Sequence, residues 1–422
     1  MTTEQIISIV IFLITMTAIM TERVHRTVAA ITGAILLIVT HILTIETSIA
    51  YVDINTVGVL VGMMLFVAVV KNSGIFEYIA IKSAKIAKGK PVNIMIIFIL
   101  ITTILSAFLD NVTTVLLIGP MTIAITRILN INPIPFLITQ IMASNIGGTA
   151  TLIGDPPNIM IGSAANLGFT DFILNTGLPV IFIIITAIIY FLLIYKKQLI
   201  VDEENISKVM EMDENKAIKD KSLMIKSIVL IVLVVIGFIF HSQLQMESCV
   251  IALLAAIIML LIGKQDAEEI ILGVEWSTIL FFIGLFIVVG GLEETGVIDK
   301  LANLLVSATS GNMILTMIII LWASAIISSF LDNIPFVATL IPLILTMQQT
   351  GNIDVTPLWW ALSLGACLGG NGTLIGASAN VVLSSISSKN GYPITFKHYM
   401  KIGFPLMIIS IIISSIYLLM RF

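Results

Sequence analysis

The sequence predicts an all-α polytopic membrane protein built from two inverted-topology repeats. The chain has 422 residues, of which 58% are hydrophobic and 11% are charged. A soluble globular protein carries about 25% charged residues. Polar motifs in the first half reappear 222 residues later without a gap, while the basic residues of equivalent loops differ between the halves. We therefore expect each half to contain about five spanning helices, a re-entrant hairpin and a broken helix.

Composition and motifs exclude several functions. The net charge of −4 is too small to favour nucleic acid as a partner. The chain has no phosphate-binding loop, no dinucleotide fingerprint and no HExxH motif. Its two cysteines, Cys249 and Cys367, lack metal-ligand spacing. We therefore expect a protein that is not an enzyme and has no cofactor other than a coupling Na⁺ or H⁺.

The repeat divides the chain into three parts. Phe108-Leu109-Asp110-Asn111 returns as Phe330-Leu331-Asp332-Asn333, and Thr151-Leu152-Ile153-Gly154 returns as Thr373-Leu374-Ile375-Gly376. The stretch between the halves is polar, with mixed Lys, Asp and Glu, as is typical of solvated surface. The predicted parts are an N-terminal transmembrane repeat at 1–195, a cytoplasmic linker at 196–222 and a C-terminal transmembrane repeat at 223–422.

Long apolar segments, two of them interrupted by glycine, predict the helices. In the first half they lie at 5–21, 27–44, 56–70, 91–108, 112–129, 135–165 (broken) and 177–195. In the second half they lie at 226–241, 247–263, 277–292, 312–330, 334–348, 357–386 (broken) and 402–420. The pairs 91–129 and 312–348 form either re-entrant hairpins or two full crossings, since both place the loops on the same sides.

Lysine and arginine predict the orientation, because they concentrate on the cytoplasmic side of a membrane. If both termini are outside, all 21 of these residues fall inside except Lys300 and Arg421. The loop 71–90 holds five lysines and its equivalent, 293–312, holds one. Halves of similar sequence with opposite loop charge indicate inverted topology, with the linker in the cytoplasm.

Each predicted hairpin tip offers a carboxylate and an amide next to a helix start. Irregular backbone at membrane depth is tolerated only where it is buried in protein or lines a watery cavity. There, side-chain oxygens can replace the water shell of a small cation. The alternative is that the two aspartates only cap helices. The candidate ligands are Asp110, Asn111, Thr113, Thr114, Asp332 and Asn333, with a candidate Na⁺ site at Asp110, Asn111, Asp332 and Asn333.

The two broken helices supply the second group of candidates. Glycines and, in the first repeat, two prolines prevent an uninterrupted helix. Close packing through small residues is the alternative explanation. The candidate residues lining the breaks are Asn145, Thr149, Asp155, Asn158, Asn371, Thr373 and Asn380.

Asp155 breaks the symmetry of the repeats, because its counterpart is Ala377. An acid within a membrane is costly and marks a functional site by default. We expect Asp155 to exchange a proton for a cation. The alternative is that it caps the helix that begins with Pro156-Pro157.

These segments resemble a known family. Phe108–Pro120, Asn145–Asn158, Phe330–Pro342 and Gly365–Val382 are similar to the signature segments of the ArsB/NhaD permeases of the ion-transporter superfamily. The nearest resemblance is to the pink-eyed-dilution P-protein branch. The resemblance implies secondary transport, two inverted repeats that meet at the membrane midplane, and a homodimer.

The predicted function is proton- or sodium-coupled export of an inorganic ion or oxyanion by an arsenite-type permease. The alternatives are a Na⁺/H⁺ antiporter, a citrate or dicarboxylate carrier and an ion channel. The expected partners are the small ion or anion, the lipid bilayer and, in one further hypothesis, a soluble ATPase subunit. The expected location is the plasma membrane of a prokaryote.

Overall fold

The computed structural model of the chain describes residues 1–21, 23–241, 243–309, 311–351 and 354–422. Throughout these residues the secondary structure is helical, and no strand occurs in them. Nine of the helices in this part of the chain are long and apolar enough to cross a bilayer. The fold is thus all-α, as predicted.

Ten helices of each half correspond in order, and the short helix Phe169–Phe172 has no helical counterpart among the described residues. The first half contains α1 Thr3–Thr21, α2 Arg26–Val39, α3 Ile45–Ala50, α4 Ile54–Lys71, α5 Ile75–Ile86, α6 Pro91–Phe108, α7 Asn111–Ile128, α8 Ile134–Thr149, α9 Pro156–Ala165, α10 Phe169–Phe172 and α11 Leu178–Tyr195. A short helix, α12 Glu203–Met210, lies between the halves. The second half contains α13 Lys221–Phe240, α14 Ser248–Gly263, α15 Ala267–Leu272, α16 Trp276–Glu294, α17 Val297–Ala308, α18 Met313–Phe330, α19 Asn333–Gly351, α20 Thr356–Gly369, α21 Ser378–Lys389 and α22 Phe396–Arg421.

The two halves pack through reciprocal contacts. A Cβ added to Gly62 would lie 2.6 Å from the backbone of Ala252, and one added to Gly284 would lie 2.7 Å from the backbone of Ala30. Gly284 is the repeat equivalent of Gly62, and Ala252 is that of Ala30. Contacts that exchange in this way are the mark of a two-fold relationship.

Equivalent helices run in opposite directions. Asp53, at the start of α4, lines the same cavity as Glu293, at the end of α16. Lys71, at the end of α4, lines a second cavity together with Glu275, at the start of α16. Because α4 and α16 are repeat equivalents, this antiparallel arrangement is the inverted topology that the loop charges predicted.

The segment between the halves packs against the lysine-rich loop of the first repeat. The Nζ atom of Lys85 donates to Oε2 of Glu214 at 2.6 Å and to the carbonyl of Met212 at 3.0 Å. The backbone N–H of Lys219 donates to the carbonyl of Ser73 at 3.0 Å. The loop 71–90 and the segment 196–222 therefore lie on one face of the protein.

Helices α6–α9 and α18–α21 form the part of the fold that positions the candidate site. The arms α6 and α7 join at a two-residue turn, Leu109-Asp110, and α18 and α19 join at Leu331-Asp332. Both broken helices appear, as α8 with α9 and as α20 with α21. Each turn reaches the interruption of a broken helix, so four interruptions of regular structure meet in the protein interior.

Candidate functional site

The interruption in each broken helix is held by an asparagine from its second segment. Nδ2 of Asn158 donates to the carbonyl of Thr151 at 2.9 Å, with longer bonds to two more carbonyls of the break. Nδ2 of Asn380 donates to the carbonyls of Gly370 and Thr373 at 2.7 and 2.9 Å. These amides satisfy carbonyls that an uninterrupted helix would have paired, which is the condition for irregular backbone inside a membrane.

Hydroxyl groups attach each hairpin to the broken helix of its own repeat. Ser106 donates to the carbonyl of Ser144 at 2.7 Å, and Ser328 donates to the carbonyl of Ala366 at 2.7 Å. The hydroxyl of Thr373 donates to the carbonyl of Ser329, as the hydroxyl of Thr151 does to an equivalent carbonyl in the first repeat. Each hairpin and its broken helix therefore form one packed unit.

Asparagine amides connect the two repeats at the centre. Nδ2 of Asn145 donates to Oδ1 of Asn371 at 3.0 Å and to Oδ1 of Asn380 at 2.9 Å. Asn111, at the first hairpin tip, donates to Oδ1 of Asn145 at 3.3 Å. All four side chains are buried. The network holds the first hairpin tip against both broken helices.

The two hairpin-tip aspartates have different partners. Asp110 caps α7: its carboxylate accepts from the backbone N–H of Thr113 at 2.8 Å and from the Thr113 hydroxyl. Asp332 accepts from the backbone N–H of Ile334 at 3.3 Å, and it also pairs with Arg26, whose Nη1 lies 3.3 Å from Oδ2, and accepts from the Ser378 hydroxyl at 2.9 Å. The capping alternative thus describes Asp110 well, while Asp332 combines a contact to the start of α19 with an ion pair.

Asp155 lies at the interruption of the first broken helix and is 1% exposed. Its side chain makes no capping hydrogen bond to α9, so the structure gives no support to the capping alternative. Its two carboxylate oxygens accept from Nδ2 of Asn333 at 3.4 and 3.3 Å. No basic side chain of the described residues forms an ion pair with it. A buried carboxylate without a cationic partner is unfavourable unless a proton or cation neutralises it.

A narrow cavity joins the predicted residues of both repeats. Its volume is about 20 Å³, and this space suffices for one species of the size of water. The predicted residues among its lining are Asp110, Asn111, Asp155 and Asn333. Asp332 lines a neighbouring cleft of about 310 Å³.

The other predicted residues are not part of the lining of this cavity. Thr113 holds Asp110, as described above, and Thr149 donates to the carbonyl of Asn145 at 2.7 Å. The hydroxyl of Thr114 is buried and has no hydrogen-bond partner among the described residues. The residues that belong to the amide and hydroxyl network around the interruptions are Asn145, Asn158, Asn371, Thr373 and Asn380.

Sequence reasoning missed four polar residues of the cavity lining, which are Arg26, Glu275, Thr278 and Ser378. Arg26 was counted only as a cytoplasmic charge, although it begins a short apolar segment and has Ser248 as its repeat equivalent. Glu275 is the repeat equivalent of Asp53, so both repeats have an acid at this position. The break in symmetry at Arg26 was the available signal, as it was for Asp155.

Comparisons with known proteins agree with this architecture. A family model described as citrate transporter, CitMHS, matches residues 16–365. An uncharacterised transporter of Mycobacterium tuberculosis is 42% identical over 99% of this chain and 98% of its own length. The P protein of Sus scrofa is 33% identical over 94% of this chain, which spans 57% of that longer protein.

A solved structure shares the fold at low sequence identity. The YdaH transporter of Alcanivorax borkumensis, described as having an unusual topology, superimposes with a TM-score of 0.55. The match covers 88% of this chain and 86% of that chain, at 14% identity. Together with the helices long enough to span a bilayer, the family match identifies the chain as an integral membrane transporter that belongs to the citrate transporter family.

Proposed function

We propose that the protein is a secondary active transporter. Its coupling ion, a proton or Na⁺, binds in the cavity lined by Asp110, Asn111, Asp155 and Asn333. The observation that carries the proposal is the enclosed carboxylate of Asp155, which has an amide partner, Asn333, and no cationic one among the described residues. Its burial makes an occupied, neutralised state favourable.

The chemistry of the lining supports a small hard cation or a proton. Carboxylate oxygens of Asp110 and Asp155 and amide oxygens such as that of Asn111 are ligands that hard cations prefer. The space of about 20 Å³ suits a single small ion in this conformation. A proton on Asp155 and a Na⁺ in the cavity would neutralise the same charge, so the two ions would compete.

The transported solute is, in this proposal, a small inorganic ion or oxyanion that is exported in the manner of an arsenite permease. The resemblance of the four signature segments to ArsB/NhaD permeases supports this class. Sodium–proton exchange is the same reaction without a third solute. The cavity lined by Asp110 and Asp155 is compatible with it.

Citrate is the second candidate solute, because the matching family model is that of a citrate transporter. The cleft of about 310 Å³ beside Asp332 has room for a larger anion and includes the guanidinium of Arg26. Guanidinium groups recognise carboxylates through paired hydrogen bonds, so a carboxylate of citrate would compete with Asp332 for Arg26.

Reconstitution in proteoliposomes tests the proposal. Imposed Na⁺ or proton gradients should concentrate arsenite, citrate or Na⁺ itself against its own gradient, without nucleotide or a soluble ATPase. Flux that only follows the gradient of the moving ion would instead indicate a channel. Flux that requires ATP and an added soluble subunit would indicate a pump.

A further inference from the structure

The ion pair between Arg26 and Asp332 makes the two repeats unequal at the position where symmetry predicts equal sites. Arg26 donates through Nη1 to Asp332 at 3.3 Å and to the Ser378 hydroxyl at 2.6 Å, and Ser378 donates to the same carboxylate at 2.9 Å. The three groups form a closed triangle. The side chains of Arg26 and Asp332 are 29% and 14% exposed, so water screens the pair only partly.

Arg26 is also held by groups outside the hairpin. Its Nη2 donates to the hydroxyl of Thr278 at 3.2 Å, and its guanidinium lies over the ring of Phe281 at 5.2 Å. Both residues belong to α16, whose first turn follows Glu275. The guanidinium therefore contacts α16 on one side and the second hairpin tip on the other.

The first hairpin tip has no such cation. Its carboxylate, Asp110, is bound only by groups of its own helix start, and no ion pair to it occurs among the described residues. The repeat equivalent of Arg26 is Ser248, whose side chain carries no charge. The first tip thus presents a carboxylate without an ion-pair partner to the cavity that is also lined by Asp155, Glu275 and Arg26.

We infer that Arg26 is a built-in counter-ion that occupies the second hairpin tip in place of a coupling cation, so that only the first tip binds an exchangeable cation. The inference rests on the proposed function and deepens it. It replaces two equivalent cation sites, one at each tip, by a single site at Asp110 and Asp155. By neutralising Asp332, Arg26 sets the number of coupling ions that the protein binds.

The test measures cation-dependent stabilisation of the purified full chain. Its melting temperature is followed during titration with NaCl against choline chloride, and during a pH series in choline, because a ligand that binds the folded state raises the melting temperature. The variants are Asp110→Asn, Asp332→Asn, Arg26→Gln and the double variant Arg26→Gln/Asp332→Asn. Arg127→Gln is the control, since Arg127 contacts Asn390 away from the cavity.

The double variant is decisive, because it removes both charges of the pair and leaves no buried ion alone. It should keep the cation affinity of the wild type within about threefold, while Asp110→Asn should weaken it by at least about tenfold, or about 1.4 kcal/mol. Asp332→Asn should be less stable than the wild type, because it leaves the charge of Arg26 without its ionic partner. In Arg26→Gln, the freed Asp332 should add a second cation site and steepen the NaCl titration.

Two outcomes separate the inference from the function on which it rests. A double variant that loses the cation response as fully as Asp110→Asn overturns the inference, because Asp332 would then hold a coupling ion itself. A wild type that responds to neither Na⁺ nor pH, and shows no gradient-driven flux, overturns the proposed function and the inference together.

Discussion

Asn333 at the tip of the second hairpin donates from Nδ2 to both carboxylate oxygens of Asp155, at 3.4 and 3.3 Å, in the broken helix of the first repeat. The two bonded residues are 178 positions apart in the chain and belong to different repeats. It places Asp155, whose repeat equivalent is Ala377, beside the hairpin whose own aspartate is paired with Arg26. Movement of either hairpin would therefore change the surroundings of Asp155.

Replacement of Asp155 by asparagine should abolish coupled flux and leave the fold intact. Asparagine keeps an oxygen that can accept from Asn333 but removes the charge that a proton or Na⁺ would neutralise. The measurement is gradient-driven uptake in proteoliposomes over a pH series, at matched protein density. Asp354→Asn is the control, because Asp354 is exposed and asparagine can keep its bond to the N–H of Thr356. A pH profile identical to that of the wild type would remove Asp155 from the coupling step.

Replacement of Asn158 or Asn380 by alanine should destabilise the protein. Each variant leaves carbonyls of a helix break without a donor in a region that excludes water, at a cost of about 1–3 kcal/mol. The two losses should be similar, because the bonds are repeat equivalents. The check is the thermal unfolding of the purified variants, with Asn303→Ala, at an exposed position of α17, as the control. Unfolding temperatures equal to that of the control would show that the breaks are held by something else.

Replacement of Gly147 or Gly369 by alanine should disturb the packing of one hairpin against the broken helix of its own repeat. An added Cβ would lie 2.2 Å from the carbonyl oxygen of Thr103 in the first case and 2.6 Å from that of Ala325 in the second. The contacting atoms belong to the backbone and cannot shift without strain. We therefore expect the free energy of unfolding of each variant to fall by about 1–3 kcal/mol. Gly177→Ala is the matched control, because its Cβ would meet nothing closer than 3.8 Å. Wild-type stability and flux in both interior variants would contradict the close packing.

The contact between Lys85 and Glu214 should weaken only in acid. The hydrogen bond from Lys85 lowers the pKa of Glu214 below its usual range. A carboxyl group with a lowered pKa stabilises the folded state above its unfolded pKa, about 4.3, and this contribution disappears as the pH falls through the lower folded value. Protease cleavage within 196–222 should therefore increase at low pH.

A charge-removing variant isolates this pair from other acid effects. Glu214→Gln should raise cleavage at neutral pH and reduce its dependence on pH. Glu204→Gln should not, because Glu204 pairs with Lys208 within α12 and not with the loop 71–90. Equal cleavage of the two variants at every pH would show that Lys85 and Glu214 do not hold the segment in place.

Residues 85 and 300 should be labelled from opposite sides of the membrane. Lys85 contacts the segment between the repeats, whereas Nζ of Lys300 donates to Oε1 of Gln5 in α1 at 2.6 Å. The variants are Lys85→Cys and Lys300→Cys in a Cys249→Ala background, probed with a membrane-impermeant thiol reagent on intact and inverted vesicles. The lysine distribution predicts that residue 300 is labelled outside. Labelling of both from one side would show that the repeats are parallel.

Much of the fold was determined by the sequence alone. The repeat of Phe108–Asn111 at Phe330–Asn333, together with the unequal loop charges, predicted two inverted halves. This succeeded because a helix in lipid must pair its backbone internally, so apolar length and glycine or proline interruptions determine where helices run. The candidate residues near the cavity were found for the same reason: polar side chains in apolar segments are costly.

Only the tertiary structure decided how those residues are paired. Asp110 and Asp332 occupy the same place in their repeats and both contact the start of the following helix, yet only Asp332 forms an ion pair, with Arg26, which lies 306 residues away in sequence. Likewise, the partner of Asp155 comes from the other repeat. Pairing of this kind depends on how the helices of the two halves cross in three dimensions, and a periodic pattern along the chain contains no information about that crossing.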